Sequence, residues 1–218
     1  IKKRNLSRNN MPKLIVGTGL SVIYGVPGMK ALAEHLAKEI ALSSDEHLKE
    51  VWKKHSDVIK RNGLEAGLAN LAQDENDLVD AIKEITAHFI LDSEEKLHRT
   101  IREENTGFCK LLDYLRGTVS VDKRIIDIMT PNYDRIIEII CDRLGIGVIT
   151  GFSGSLYGRF NRNLLKQPTE MYNCRNYAWI RLFKPHGSIN WISENGQEYF
   201  TNDYEVLKEK AKYIDIVT

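Results

Sequence analysis

Short apolar runs and helical repeats alternate along this chain. The first run, Leu14-Ile15-Val16, is continuous, which is typical of a strand buried on both faces of a parallel sheet. A glycine-containing turn follows, and then apolar residues recur every three or four positions, which predicts a helix. The first unit is therefore predicted to be a strand, a turn and a helix. The apolar residues of that helix are Met29, Leu32, Ala33, Leu36, Ala37 and Ile40.

The same order returns in the second half of the chain. Apolar runs predict strands over residues 125–129, 148–150 and 179–183, and a helical repeat between the first two predicts a helix ended by Gly145. Strands that alternate with helices are typical of an α/β fold, so we expect a Rossmann-like parallel sheet flanked by helices. The chain begins at Ile1 and residues 214–218 resemble the start of another strand, so we expect the protein to continue beyond residue 218.

Residues 43–117 interrupt this order, because they contain helical repeats and no convincing strand. Leu78, Ile82 and Ile85, for example, are spaced by three or four. We interpret the region as an insertion of three to five helices that lies outside the sheet. The predicted organisation is a polar, basic arm over residues 1–12, a Rossmann-like domain formed by residues 13–42 and 118–218, and the helical insertion over residues 43–117.

Residues 151–176 follow neither the helical nor the strand period. They are rich in Gly, Ser, Asn and Arg, which predicts a long loop. Loops of this length inside a domain usually have a function or move. We therefore expect this segment to open or occlude a cleft.

Composition narrows the classes of partner. The formal net charge is +1, so we expect no electrostatic attraction to a membrane, and contact with nucleic acid only through a partner. No apolar run approaches the roughly 20 residues of a membrane span, and we expect no secretory signal before the first strand. The three cysteines, Cys109, Cys141 and Cys174, form no CxxC pair. We expect free thiols, no metal and a cytoplasmic protein.

Polar motifs follow three of the predicted strands, at the edge where open α/β sheets bind ligands. Gly17 and Gly19 allow a phosphate to approach the backbone, although the spacing matches neither the GxGxxG nor the Walker A pattern. Asn132 follows a proline at a predicted helix start, where a helix cap is the more favoured interpretation and a side chain facing the cleft is the alternative. His186 is either a general base or a surface residue.

Together these motifs resemble the sirtuin-like family of NAD-consuming proteins. Residues 17–27 are similar to the family's GAGxSxxxGxP loop, residues 130–134 to a T-x-N-Y-D motif, and residues 184–191 to a K-L-H-G-S-x-N-W motif. The last two are more typical of bacterial antiviral-defence members, which hydrolyse NAD, than of deacetylases. The zinc module of the deacetylases, with two CxxC pairs, is absent from this sequence.

The resemblance implies a role for each motif residue. Asn132 would hold the nicotinamide ribose and the attacking water, and His186 would act as the base. The remaining expected NAD contacts are Gly17, Thr18, Gly19, Ser21, Pro27, Asp134 and Ser188, with Asp134 at the carboxamide and Gly17, Gly19 and Ser21 at the pyrophosphate.

The expected activity is hydrolysis of NAD to nicotinamide and ADP-ribose, with NAD as substrate, no metal, and depletion of NAD as the means of antiviral defence. A homo-oligomer or a regulatory partner protein is expected to control it. The alternatives are a catalytically silent module that binds NAD or ADP-ribose, and an NAD-dependent protein deacylase.

Overall fold

The computed structural model of the chain describes residues 13–62, 76–118, 125–168 and 178–216. The predicted arm over residues 1–12, Cys174 and the end of the predicted loop, residues 169–176, lie outside the described residues. The strands are β1 (Leu14–Ile15), β2 (Ile125–Met129), β3 (Gly147–Ile149), β4 (Phe152–Ser153), β5 (Tyr157–Phe160), β6 (Trp179–Phe183), β7 (Gly187–Glu194), β8 (Gln197–Thr201) and β9 (Ile214–Ile216). The helices are α1 (Gly19–Ile23), α2 (Met29–Leu42), α3 (Glu46–Asn62), α4 (Asn76–Glu103), α5 (Gly107–Thr118), α6 (Ile136–Leu144), α7 (Arg162–Lys166) and α8 (Tyr204–Glu209), and a 3-10 turn covers Ala211–Tyr213.

Four strands form a parallel sheet in the order β1-β2-β6-β3. The ends of three of them are in register, since Ile15 pairs with Met129 and Met129 with Phe183. Helices pack against this sheet, so the predicted Rossmann-like α/β fold is confirmed. The carboxyl ends of β1, β2 and β6 therefore lie side by side at one edge.

The two faces of the parallel sheet differ. Ile126 and Ile128 of β2 and Ile180 and Leu182 of β6 are fully buried, in a cluster that includes side chains of α5 and α6. On the other face Met129 is 40% exposed, and Ile15 and Phe183 are also exposed. The prediction that β1 is buried on both faces is therefore wrong, because the described helices cover one face of these strand ends and leave the other open.

A second, antiparallel sheet follows the order β4-β5-β8-β7-β9. It includes Phe152–Ser153 and Tyr157–Phe160, so the prediction of a loop over residues 151–176 is wrong for its described part. The short strands are ordered by partners that come later in the chain. Phe152 packs against the rings of Phe160, Trp191 and Phe200, at centroid distances of 5.2, 5.2 and 5.7 Å.

Helix α4 crosses the molecule and contributes to three separate apolar clusters. Leu78 and Ile82 pack with α2 and α3. Ala87, Ile90 and Leu91 pack against β7 and β9 of the antiparallel sheet, and Ile101 joins the cluster of the parallel sheet. The predicted insertion is thus helical where it is described, and it also contributes side chains to the core of both sheets. Among the described helices, none is both long enough and apolar enough to cross a membrane.

Candidate functional site

Three polar segments meet at the carboxyl edge of the parallel sheet. Asn132 and His186 each lie three residues past paired strand ends, Met129 and Phe183. Gly17 lies two residues past Ile15, which pairs with Met129. The register of the strands therefore brings the glycine loop, the Asn132 segment and the His186 segment to one edge, as the sequence predicts.

The glycine loop leaves its backbone open. A methyl group added at Gly17 or at Gly19 would meet no other atom within 4 Å. Neither glycine has a positive φ, so the conformational freedom of glycine is not what the loop uses. Gly17, Thr18 and Gly19 are all exposed, and a ligand can approach the main chain there.

Asn132 is buried and turned toward the glycine loop. Its Nδ2 donates to the carbonyl of Gly17 at 3.1 Å and to Oγ of Ser21 at 2.8 Å. Because a carbonyl can only accept, these bonds fix the orientation of the amide and leave Oδ1 on the other side, without a partner among the described residues. The prediction of a helix cap is wrong, since α6 begins only at Ile136.

Ser21 and Asp134 join the glycine loop to the second motif. Oγ of Ser21 donates to Oδ2 of Asp134 at 2.6 Å, and Oδ1 of Asp134 accepts the backbone N–H of Ile136 at 3.2 Å. Both residues are buried, and burial raises the pKa of Asp134 against the opposing effects of Lys184 and Ser21. The two expected NAD contacts are therefore engaged with each other.

Lys184 is a site residue that the sequence reading missed. Its side chain is fully buried, and Nζ donates to the carbonyl of Asp134 at 2.6 Å, to Oγ of Ser188 at 2.8 Å and to Oε1 of Glu138 at 3.0 Å. It therefore ties the segment that carries Asn132 to the segment that carries His186. The sequence does carry a signal for this role, because a lysine stands where a strand turns, two residues before a histidine.

Ser188 lies beneath the edge rather than on it. It is fully buried, accepts from Lys184 and donates to the carbonyl of Tyr133 at 3.2 Å. We call the connected residues the edge network. Its members are Ser21, Asn132, Asp134, Lys184 and Ser188.

His186 is exposed and makes no hydrogen bond within the described part of the chain. The glycine after it explains its position. Gly187 has a φ of +81°, and a Cβ there would lie 1.8 Å from the carbonyl oxygen of Asp215 in β9. Only glycine fits this turn, which places the imidazole outside the sheet. Pro27, the remaining predicted contact, is half-buried just before α2.

A second polar network begins at Arg135, the residue after Asp134 and immediately before α6. Glu94 of α4 is fully buried, and its Oε1 lies 2.7 Å from the guanidinium of Arg135. Arg135 also donates to Oδ1 of Asn202 at 3.1 Å, which accepts from Nδ2 of Asn190 at 3.0 Å. The hydroxyl of Tyr204 donates to Glu94 at 2.9 Å. We call these five residues the Glu94 network.

The described cysteines make no metal centre. Cys109 and Cys141 are buried free thiols, and burial raises the pKa of Cys141 well above its ordinary value. Within the ranges that the structure describes, no three or more His, Cys, Asp or Glu side chains converge as metal ligands would.

No known protein-family profile matches this chain, and no curated protein sequence matches it either.

Proposed function

We propose that this protein hydrolyses NAD to nicotinamide and ADP-ribose at the carboxyl edge of its parallel sheet. The observation that carries the proposal is Asn132, which is bonded to both Gly17 and Ser21 and whose carboxamide oxygen has no partner among the residues that the structure describes. An oriented acceptor beside an open glycine loop suits a ribose hydroxyl beside a pyrophosphate. The order of the three motifs, which resembles that of sirtuin-like hydrolases, supports the same assignment.

Hydrolysis of NAD requires correct placement of the ribose and the attacking water, and a general base, more than it requires a general acid. The nicotinamide of NAD is a positively charged leaving group, and its departure leaves an oxocarbenium-like ribose. Asn132 would hold the ribose and the attacking water. His186, exposed at the same edge, would accept the proton of that water or of a ribose hydroxyl.

The other four members of the edge network would position Asn132 and His186 rather than contact the substrate. Ser21 donates to Asp134 and accepts from Asn132, and Asp134 also accepts the backbone N–H of Ile136. Lys184 and Ser188 hold the turn after β2 through the carbonyls of Tyr133 and Asp134. In this assignment the pyrophosphate would contact the exposed backbone of Gly17, Thr18 and Gly19, and no longer Ser21.

The test measures, by chromatography, the release of nicotinamide from NAD. We expect His186→Ala to lower the rate by about 10² to 10⁴, the usual effect of losing a positioned base. His47→Ala is the matched control, because His47 is exposed on α3, away from this edge, and its loss should leave the rate unchanged. A His186→Ala protein as active as its parent would remove His186 from the mechanism.

A silent module that binds NAD or ADP-ribose is the second candidate. The observation that favours it is that His186 makes no hydrogen bond to the described residues, whereas a catalytic imidazole is usually oriented by a partner. Calorimetry separates the two, because tight binding of NAD without release of nicotinamide, with or without an added oligomerising partner, would establish the silent module. Release that requires an acetylated peptide would instead indicate a deacylase.

A further inference from the structure

A cavity of about 690 Å³ lies between α6 and the antiparallel sheet. Side chains from α6, the turn after β3, β7 and β8 line it. The cavity is not part of the proposed NAD site, since none of the exposed glycine-loop residues or His186 contributes to its lining.

The Glu94 network fixes one acceptor in this lining. The guanidinium of Arg135 can only donate, so it sets Oδ1 of Asn202 as an acceptor. Asn190 must then donate to Asn202 through Nδ2. Its carboxamide oxygen points the other way and has no partner within the described residues, although Asn190 is only 7% exposed.

Two carboxylates lie in the lining of the cavity together with the oxygen of Asn190. Glu138 and Asp142 are one helical turn apart on α6, and both line the cavity. Oε1 of Glu138 accepts from Lys184, but its Oε2 has no partner among the described residues. Asp142 is exposed and forms no ion pair with any described residue. Two side chains of the lining can carry positive charge, Arg135, which is already paired with Glu94, and His98.

The acceptor oxygens and carboxylates of the lining therefore favour a ligand that donates hydrogen bonds and carries positive charge. A bare metal ion fits poorly, because no cluster of three ligating side chains occurs in the described chain and the volume is far larger than an ion. Phe152 and Phe200 supply apolar wall, against which a methylene chain can pack. We propose that this cavity binds a small organic cation of the aliphatic diamine class, held by Asp142, Glu138 and Asn190.

Calorimetric titration with putrescine at low ionic strength tests the site, with 1,4-butanediol as a neutral probe of the same length. We expect the wild-type protein to bind putrescine and not the diol, and binding to weaken as sodium chloride is added. Asp142→Asn should lower the association constant roughly tenfold, since charge-assisted hydrogen bonds are the strong ones. Asp142 is exposed, so this variant is expected to fold.

Two further variants keep the result interpretable. Glu198→Gln removes a negative charge from an exposed residue of β8 outside the cavity, and it should leave the association constant unchanged. Thr150→Arg places a guanidinium in the lining and should abolish binding. Equal losses in Asp142→Asn and Glu198→Gln, equal binding of the diol, full competition by magnesium, or no binding by the wild-type protein would each overturn the proposal. None of these readouts depends on NAD hydrolysis.

Discussion

Asp134 and Arg135 are neighbours in the chain, yet their side chains belong to two different networks with different consequences. The edge network lies under an exposed rim and holds Asn132 beside the glycine loop. The Glu94 network is a buried ion pair that fixes α6 to α4 and to the antiparallel sheet. Each ends in an asparagine whose orientation is fixed and whose oxygen has no partner in the described part of the chain. We therefore expect the Glu94 network chiefly to determine stability and the edge network chiefly to determine the proposed hydrolysis of NAD.

The largest expected effect is that of Glu94→Ala. Removing one partner of a buried ion pair leaves Arg135 uncompensated, and such losses typically lower the free energy of unfolding by about 3–5 kcal/mol. Urea denaturation measures this change. Glu103→Ala, which breaks an exposed pair with Arg99, is the control and should cost at most about 0.5 kcal/mol. If Glu94→Ala lowers NAD hydrolysis per folded molecule and leaves stability unchanged, the division between the networks fails.

Lys184→Met should affect stability and activity together. The ammonium makes charge-assisted hydrogen bonds to Asp134, Ser188 and Glu138, and losing them should cost about 2 kcal/mol. Because Lys184 ties the segment that carries Asn132 to the segment that carries His186, nicotinamide release per folded molecule should fall as well under the proposed function. Lys208→Met, which removes a partly exposed lysine paired with Asp92, should change neither by much. An active Lys184→Met protein would limit this lysine to a structural role.

Ser21→Ala should have a smaller effect on stability. It removes one hydrogen bond to Asp134 and one acceptor for Asn132, which together should cost about 1 kcal/mol. Asn132 keeps its bond to Gly17 but loses its second anchor, so activity should fall more than stability does. Thermal unfolding and nicotinamide release, measured on the same preparation, check the two parts. Ser56→Ala, at an exposed hydroxyl of α3, provides the matched substitution.

The smallest effect expected is a pH dependence that originates in Asp134. Its folded-state pKa is raised above the ordinary value of 3.8, so the stabilisation it gives is complete below that pH and is lost as the pH rises through the folded-state pKa. Relative to Asp134→Asn, the wild-type protein should therefore become less stable as the pH is raised above about 4. In Lys184→Met the loss should extend to higher pH, because Lys184 lowers this pKa. A difference between wild type and Asp134→Asn that is constant with pH would contradict the assignment.

The parallel sheet was predictable because its strands are continuous apolar runs followed by helices with clear periods. The antiparallel sheet was not, because β4 and β5 are only 2 and 4 residues long and owe their order to later strands. One signal was present and overlooked. Asn195 and Gly196 both have positive φ values, 54° and 73°, in the turn between β7 and β8, and an Asn-Gly pair is the commonest sequence for such a hairpin.

The candidate site was predictable in its position but not in its bonding. Strand ends indicated that Gly17, Asn132 and His186 share an edge, since parallel strands end together. The bond from Ser21 to Asp134 spans 113 positions in the chain, and the bond from Lys184 to the carbonyl of Asp134 spans 50. No local pattern encodes such pairs, so the sequence alone favours a helix cap for Asn132 and assigns no role to Lys184.

The path of α4 has a consequence for how the molecule opens. Its 28 residues contribute to all three apolar clusters. If one cluster came apart, the part of α4 that packs in it would unfold, and the helix would fray into the neighbouring clusters. Amide hydrogens from Ile82 to Ile101 should consequently exchange with solvent at one common slow rate, that of global opening. We therefore expect the described residues to unfold as a single cooperative unit despite the two sheets, so that binding at either sheet slows exchange along the whole of α4.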